Sequence, residues 1–213
     1  MNDATPLGET IAAVPIKRGR KYEQVLDGAR SVFLQDGYEG ASVDAIARAA
    51  GVSKATLYSY FPDKRLLFME VARTECAGQI EETHAILAPE ARAEDALRAA
   101  GERIVRFILS EFGQAIFRMC VAESDRFPDL GREFFRTGPA VFRGQLEAYL
   151  RLAIARGELR IDDVPLAADQ FVELCHATLF VEAVFGVRKG ATEAEMTRVV
   201  DGAVATFMAR YGA

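Results

Sequence analysis

The chain has 213 residues, 50% of them apolar and 27% charged, with a formal net charge of −5. That length can bury a sizeable core in one or two domains, while the overall acidity by itself argues for no nucleic-acid partner. No apolar run approaches a membrane span, which excludes a membrane-spanning helix.

Residues 1–18 contain Pro6 and Pro15 and show no periodicity, so they are expected to form a disordered arm. The arm ends in a basic cluster, Lys17, Arg18, Arg20 and Lys21, which can reach phosphates or an adjacent minor groove. It can equally be a solvated tail. Val25, Ala29, Val32 and Phe33 then form one helical stripe, widened by Leu26, and Gly37 is the expected stop.

Residues 42–61, SVDAIARAAGVSKATLYSYF, are the most informative stretch. Ser42 predicts an N-cap for a helix over about 43–50, and Gly51 suits the left-handed position that ends it. Ser53 predicts a second cap, for a helix over about 54–61. Val43, Ile46, Ala47, Ala50, Leu57 and Phe61 fall inward at helical spacing. This is the layout of a helix-turn-helix, whose second helix enters the DNA major groove. On its outward face Lys54, Thr56, Tyr58, Ser59 and Tyr60 offer hydrogen-bond donors, Lys64 follows a turn later, and Ala55 can touch a thymine methyl. The same layout also serves as a plain hairpin in a core, with Tyr58 and Tyr60 half-buried. Charge favours the DNA reading: residues 16–65 hold nine Lys/Arg against six Asp/Glu, and residues 66–213 hold 17 against 23.

The rest reads as helix. Phe61-Pro62-Asp63 breaks the chain, and a helix over about 64–87 carries Leu67, Val71 and Ile80. A helix over 91–109 follows, then an apolar stretch from Phe112 to Val121, then a helix bearing Phe134 and Phe135 after Pro128. Helices are expected over 140–155, from Pro165 towards Phe185 without interruption, and from Met196 to Phe207. No strand is expected. The fold class is all-α with about nine helices, divided into the arm at 1–18, a three-helix DNA-binding head at 19–65 and a larger helical domain at 66–213.

The pattern from Val25 to Val71 resembles the TetR family of bacterial repressors. It includes Ala29, Phe33, Gly37-Tyr38, Ser42-Val43, Ile46-Ala47 and Ala50-Gly51-Val52-Ser53. It continues through Thr56-Leu57-Tyr58-x-Tyr60-Phe61, Asp63-Lys64 and Leu67. Residues 118–177 look like the AefR-like subgroup. The resemblance implies a homodimer that binds a palindromic operator and releases it when a small molecule enters the larger domain. It also implies that Ser42 and Ser53 cap helices near phosphates, that Lys54, Ala55 and Thr56 face bases, that Tyr58 lies near base or backbone, and that Tyr60 and Lys64 meet phosphates. Two positions depart from the family: Tyr60 stands where histidine is commoner, and Asp44 stands where some members read bases with a basic residue. An acid cannot hold a phosphate but can accept from a cytosine amino group.

Phe107, Phe112, Phe117, Met119, Cys120, Phe135, Phe142 and His176 are the candidate lining of an effector pocket for a hydrophobic or aromatic ligand. Aromatics at helical spacing also build plain cores. Glu111, Arg118, Glu123 and Glu182 are candidates for reading a polar group on the ligand, or for a solvated face. The last two helices have wide apolar faces that predict association. Phe171, Leu174, Thr178, Val181, Phe185, Val199, Val200, Ala203 and Phe207 are expected near a four-helix dimer interface, unless they face the protomer's own core. Nothing points to an enzyme: there is no metal-ligand spacing, no phosphate-binding glycine loop and no nucleophile elbow. No cofactor and no metal are expected. A carrier that has lost DNA binding is the other rival, and the Lys54–Lys64 face argues against it. Cys76, Cys120 and Cys175 lie far apart, and Asp3 and Glu9 occupy a region that a secretion signal would keep basic. Both features predict a cytoplasmic protein with reduced thiols.

Overall fold

The computed structural model of the chain describes the backbone of residues 19–213 and the side chains of all of these except 79–85 and 130. The arm at 1–18, with Lys17 and Arg18, and the side chain of Ile80 lie outside the described residues. Eleven helices are present among them: α1 (Arg20–Gly40), α2 (Val43–Ala49), α3 (Lys54–Tyr60), α4 (Lys64–Ile86), α5 (Ala93–Leu109), α6 (Glu111–Ala122), α7 (Pro128–Thr137), α8 (Pro139–Ala155), α9 (Val164–His176), α10 (Leu179–Val184) and α11 (Glu193–Tyr211). They contain no strand, only one antiparallel bridge between Leu159 and Gly212.

The expected stripe of α1, Val25, Leu26, Ala29, Val32 and Phe33, is buried, and Tyr22 is buried with it. The helix breaks at Gly37, which takes φ 71°. Gly28 faces the end of α2 so closely that a Cβ there would lie 2.6 Å from the Ala50 backbone nitrogen. The α1–α2 crossing therefore depends on a missing side chain. Asp63 caps α4 by accepting from the Leu66 amide at 2.8 Å. Phe68 of α4 packs edge-on against Phe33 at 5.2 Å and Tyr38 at 5.4 Å.

The head's core does not stop at the boundary expected after residue 65. Leu67, Phe68, Val71 and Ala72 of α4 belong to it, and so do Phe112, Ile116 and Cys120 of α6. Polar ties run alongside. The Tyr22 hydroxyl donates to Glu70, which also receives Arg73 Nε at 2.8 Å, and Arg30 pairs with Glu75 at 2.6 Å.

The second core is formed by α5, α8, α9 and α11 around Leu97, Ala100, Leu146, Leu150, Phe171 and Phe207, all 2% exposed or less. Two differences raise the helix count above nine. The apolar stretch after residue 110 is a helix in its own right, α6, capped by Ser110, whose Oγ accepts from the Gly113 amide at 2.9 Å. The helix expected to run from Pro165 towards Phe185 is broken in two. Thr178 adopts φ 64° and ψ −57°, and the Leu179 amide donates to the Ala177 carbonyl at 2.7 Å. That is a γ-turn of the strained hand. Arg188 then bridges Glu182 of α10 at 2.7 Å and Glu195 of α11 at 3.2 Å.

Gly28→Ala is expected to destabilise the protein by about 1–3 kcal/mol, because the added methyl meets backbone that cannot turn aside. Urea unfolding followed by circular dichroism measures this.

Candidate nucleic-acid interface and ligand cavity

Both helices of the hairpin start as their sequence predicts. Ser42 Oγ accepts from the Ala45 amide at 3.1 Å, and Ser53 Oγ accepts from the Thr56 amide at 3.1 Å. Gly51 between them takes φ 64°. Leu57 and Ile46 are fully buried, which fixes the outward face of α3. Lys54, Ala55 and Ser59 are exposed, Tyr58 is 48% exposed, and Thr56 and Tyr60 are half-buried. Tyr60 rests edge-on against Tyr22, at 5.9 Å between ring centroids. Ser59 donates to the Thr56 carbonyl at 2.6 Å, so its proton is turned into its own helix and only its lone pairs face out. Arg20 is exposed at the start of α1.

Two lysines of this region have partners within the chain that the sequence does not signal. Lys64 was expected to be a phosphate donor. Its ammonium instead reaches the Tyr38 carbonyl at 2.6 Å and the Ala41 carbonyl at 3.1 Å, and lies 4.5 Å above the Tyr38 ring. It holds the end of α1, where a cation is favoured by the helix dipole and by the ring face. Lys54 is paired with Asp44 at 2.6 Å across the hairpin, with both side chains more than half exposed. The pairing joins the first turns of α2 and α3, ten residues apart. No periodicity in the sequence signals it.

A cavity of about 790 Å³ opens in the larger domain between α5, α6, α7, α8, α9 and α10. Six of the eight expected lining residues face it: Phe107, Phe117, Cys120, Phe135, Phe142 and His176. Phe112 and Met119 do not. They lie on the opposite face of α6 and pack into the head's core. The sequence reading missed Phe134 and Phe180. Phe180 is 5.0 Å from Phe117 edge-on and is stacked on His176 at 4.8 Å. Thr178 breaks the helical register ahead of Phe180, so periodicity carried on from α9 does not place Phe180 at the cavity.

The polar groups at the cavity are Arg103, Arg143, Asp169, Glu173 and Ser124, together with His176. Glu111, Arg118, Glu123 and Glu182 are not among its lining. Arg118 bonds Gln114 at 3.2 Å, and Glu182 is held by Arg188. Burial pushes the Cys76 thiol up to about 11 and the Cys120 thiol up to about 12, so both are neutral apolar wall at physiological pH. Among the described residues no cluster of His, Cys, Asp and Glu could hold a metal ion, and no helix is long and apolar enough to cross a membrane.

The expected dimer residues divide. Phe171, Val200, Ala203 and Phe207 are buried in the protomer's own core, and Leu174 and Val199 pack partly against it. Of the expected residues Thr178, Val181 at 55% exposure and Phe185 at 78% remain outward, Val181 also at the edge of the cavity, and Val187, which was not expected, is 75% exposed next to them in the chain. Periodicity identified an apolar helix but not which half of its surface its own chain covers.

Residues 25–71 match the pattern of bacterial regulatory proteins of the tetR family, and residues 95–213 match the C-terminal domain of AefR-like transcriptional repressors. A TetR-family transcriptional regulator from Mesorhizobium loti superposes with a TM-score of 0.83 at 28% identity, over 91% of this chain and 98% of that one. The flavonoid-responsive regulator FrrA superposes with a TM-score of 0.75 at 33% identity, over 92% of this chain and 98% of that one. The HTH-type transcriptional repressor AcnR of Corynebacterium efficiens is 39% identical over 59 residues, which are 28% of this chain and 31% of AcnR. The chain thus matches under a third of that curated repressor's length.

Tyr58→Ala is expected to leave folding intact and to weaken specific DNA binding by about 1–3 kcal/mol, the worth of a lost base contact, in a mobility-shift titration. Lys64→Met is expected to lower stability by about 1–3 kcal/mol, since carbonyls lose their donor. The slope of log affinity against log salt is expected to stay unchanged, because the ammonium is engaged by the carbonyls at the end of α1.

Proposed function

We propose, for a chain that belongs to the TetR family of bacterial transcriptional regulators, that it is a cytoplasmic homodimeric repressor of a palindromic operator, released when a small aromatic molecule fills the α5–α10 cavity. The observation that carries this reading is the double use of α6. Phe117 and Cys120 of α6 face the cavity, while Phe112, Ile116 and Cys120 complete the core beneath the DNA-reading hairpin. A ligand that displaces Phe117 moves a helix on which the head is seated. Close-packed cores respond to such displacement by shifting as units rather than by deforming.

The choice of an aromatic effector rests on the wall. Six phenylalanines line the cavity, and planar rings meet such a wall edge-on or offset. The likeness to a flavonoid-responsive regulator points the same way. Repression rather than activation is supported by the AefR-like repressor domain. Dimerisation is supported by the outward apolar residues of α10 and by the small exposed residues Gly202, Ala205, Thr206 and Ala209 along α11, over which a second helix can approach closely.

The decisive experiment is a mobility-shift assay at stated salt, using the DNA upstream of the protein's own gene and a random-sequence pool. Sequence-specific retardation, reversed by a flavonoid or a simple phenolic acid, is the expected result. The absence of any specific shift overturns the reading. Phe180→Ala is expected to keep operator affinity and to raise the effector concentration needed for release about 2- to 12-fold, the worth of an aromatic pair. Phe185→Glu is expected to yield a folded monomer in sedimentation equilibrium and to lower operator affinity about 100-fold or more, because the second half-site is no longer tethered.

A further inference from the structure

The DNA-facing hairpin carries an acid where a phosphate-binding surface should have none. Asp44 lies in the first turn of α2, and its side chain is 59% exposed. A carboxylate only accepts hydrogen bonds, so it has no use for a phosphate and repels one. Among the described residues its ion partner is Lys54 at 2.6 Å, the first residue of α3, itself 54% exposed. An exposed ion pair of this kind does little for stability and exchanges readily for another partner. The first residues of a recognition helix are also the ones that reach base edges.

We propose that Asp44 and Lys54 act as one reading unit for a single C·G base pair in each half-site, Asp44 accepting from the cytosine N4 amino group and Lys54 donating to the guanine O6 and N7. This rests on the operator-binding reading above. The pair presents one acceptor and one donor side by side, which is the complement of a donor and an acceptor on the major-groove edge of one base pair. Both C·G and A·T offer such neighbours, cytosine N4 beside guanine O6 and adenine N6 beside thymine O4. Two details select C·G. Guanine gives the lysine two adjacent acceptors, whereas thymine O4 is flanked by a methyl group. Adenine sets its N7 acceptor beside N6, against the carboxylate, and cytosine has no acceptor there. Before DNA arrives, the ion pair holds the long Lys54 side chain beside Asp44, so the two groups meet the base pair already placed.

Selection of bound DNA from a random pool by the full-length wild type, Asp44→Asn and Asp44→Ala tests this, followed by affinities for single sites. The wild type is expected to fix one C·G pair in each half-site. Asp44→Ala is expected to lower discrimination at that pair about 5- to 150-fold and to leave other positions unchanged. Asp44→Asn is expected to turn the preference there towards A·T, since an amide pairs with adenine N6 and N7. Identical selected sequences for all three proteins overturn the proposal, and so does a uniform gain of affinity on every sequence with Asp44→Ala, which is a charge effect alone. If the wild type selects no sequence at all, the operator-binding reading itself fails.

Discussion

The rest of the structure depends on the burial of α6 on two sides. One face, through Phe112, Ile116 and Cys120, is needed to close the core that α1 and α4 begin. The other face, through Phe117 and Cys120, is a wall of the cavity. A helix covered on both sides cannot move for one neighbour without moving for the other. The head is therefore not an independent three-helix unit joined by a linker. Its hydrophobic core is shared with the domain that holds the cavity, and the ties from Tyr22 to Glu70 and from Arg30 to Glu75 reinforce the shared packing.

The cations of the hairpin show how composition and placement differ. Residues 16–65 hold nine basic residues against six acidic ones, a positive balance in composition. Lys64, however, spends its charge on the carbonyls that end α1, and Lys54 is balanced by Asp44. The outward surface is thus less basic than its composition suggests. On such a surface, directed hydrogen bonds to base edges count for more, relative to bulk attraction to phosphates, than on a uniformly basic one.

The break at Thr178 has consequences on both sides of the chain. It swings Phe180 onto His176 and Phe117 at the cavity, and it leaves Val181 and Phe185 outward. A continuous helix over 165–185 assigns the faces beyond Thr178 differently, which is why Phe180 is absent from the expected lining. Thr178 carries no glycine or proline signal. Beyond the turn α10 packs against α5 and α6, and Arg188 bridges it to α11.

Local chemistry was enough for the DNA-reading hairpin. Ser42, Gly51, Ser53 and Asp63 act within three or four residues of themselves, so caps and stops can be read directly from neighbours in the chain. The all-α class followed from periodicity in the same way. What neighbours in the chain do not encode is which of several apolar faces meets which partner. Phe112 and Phe117 are five residues apart on one helix, yet one completes a core and the other lines a cavity. Lys64 and Asp44 took their partners from segments 10 to 26 residues away. Those choices belong to long-range packing, where burial of a whole face outweighs the preference of any single side chain.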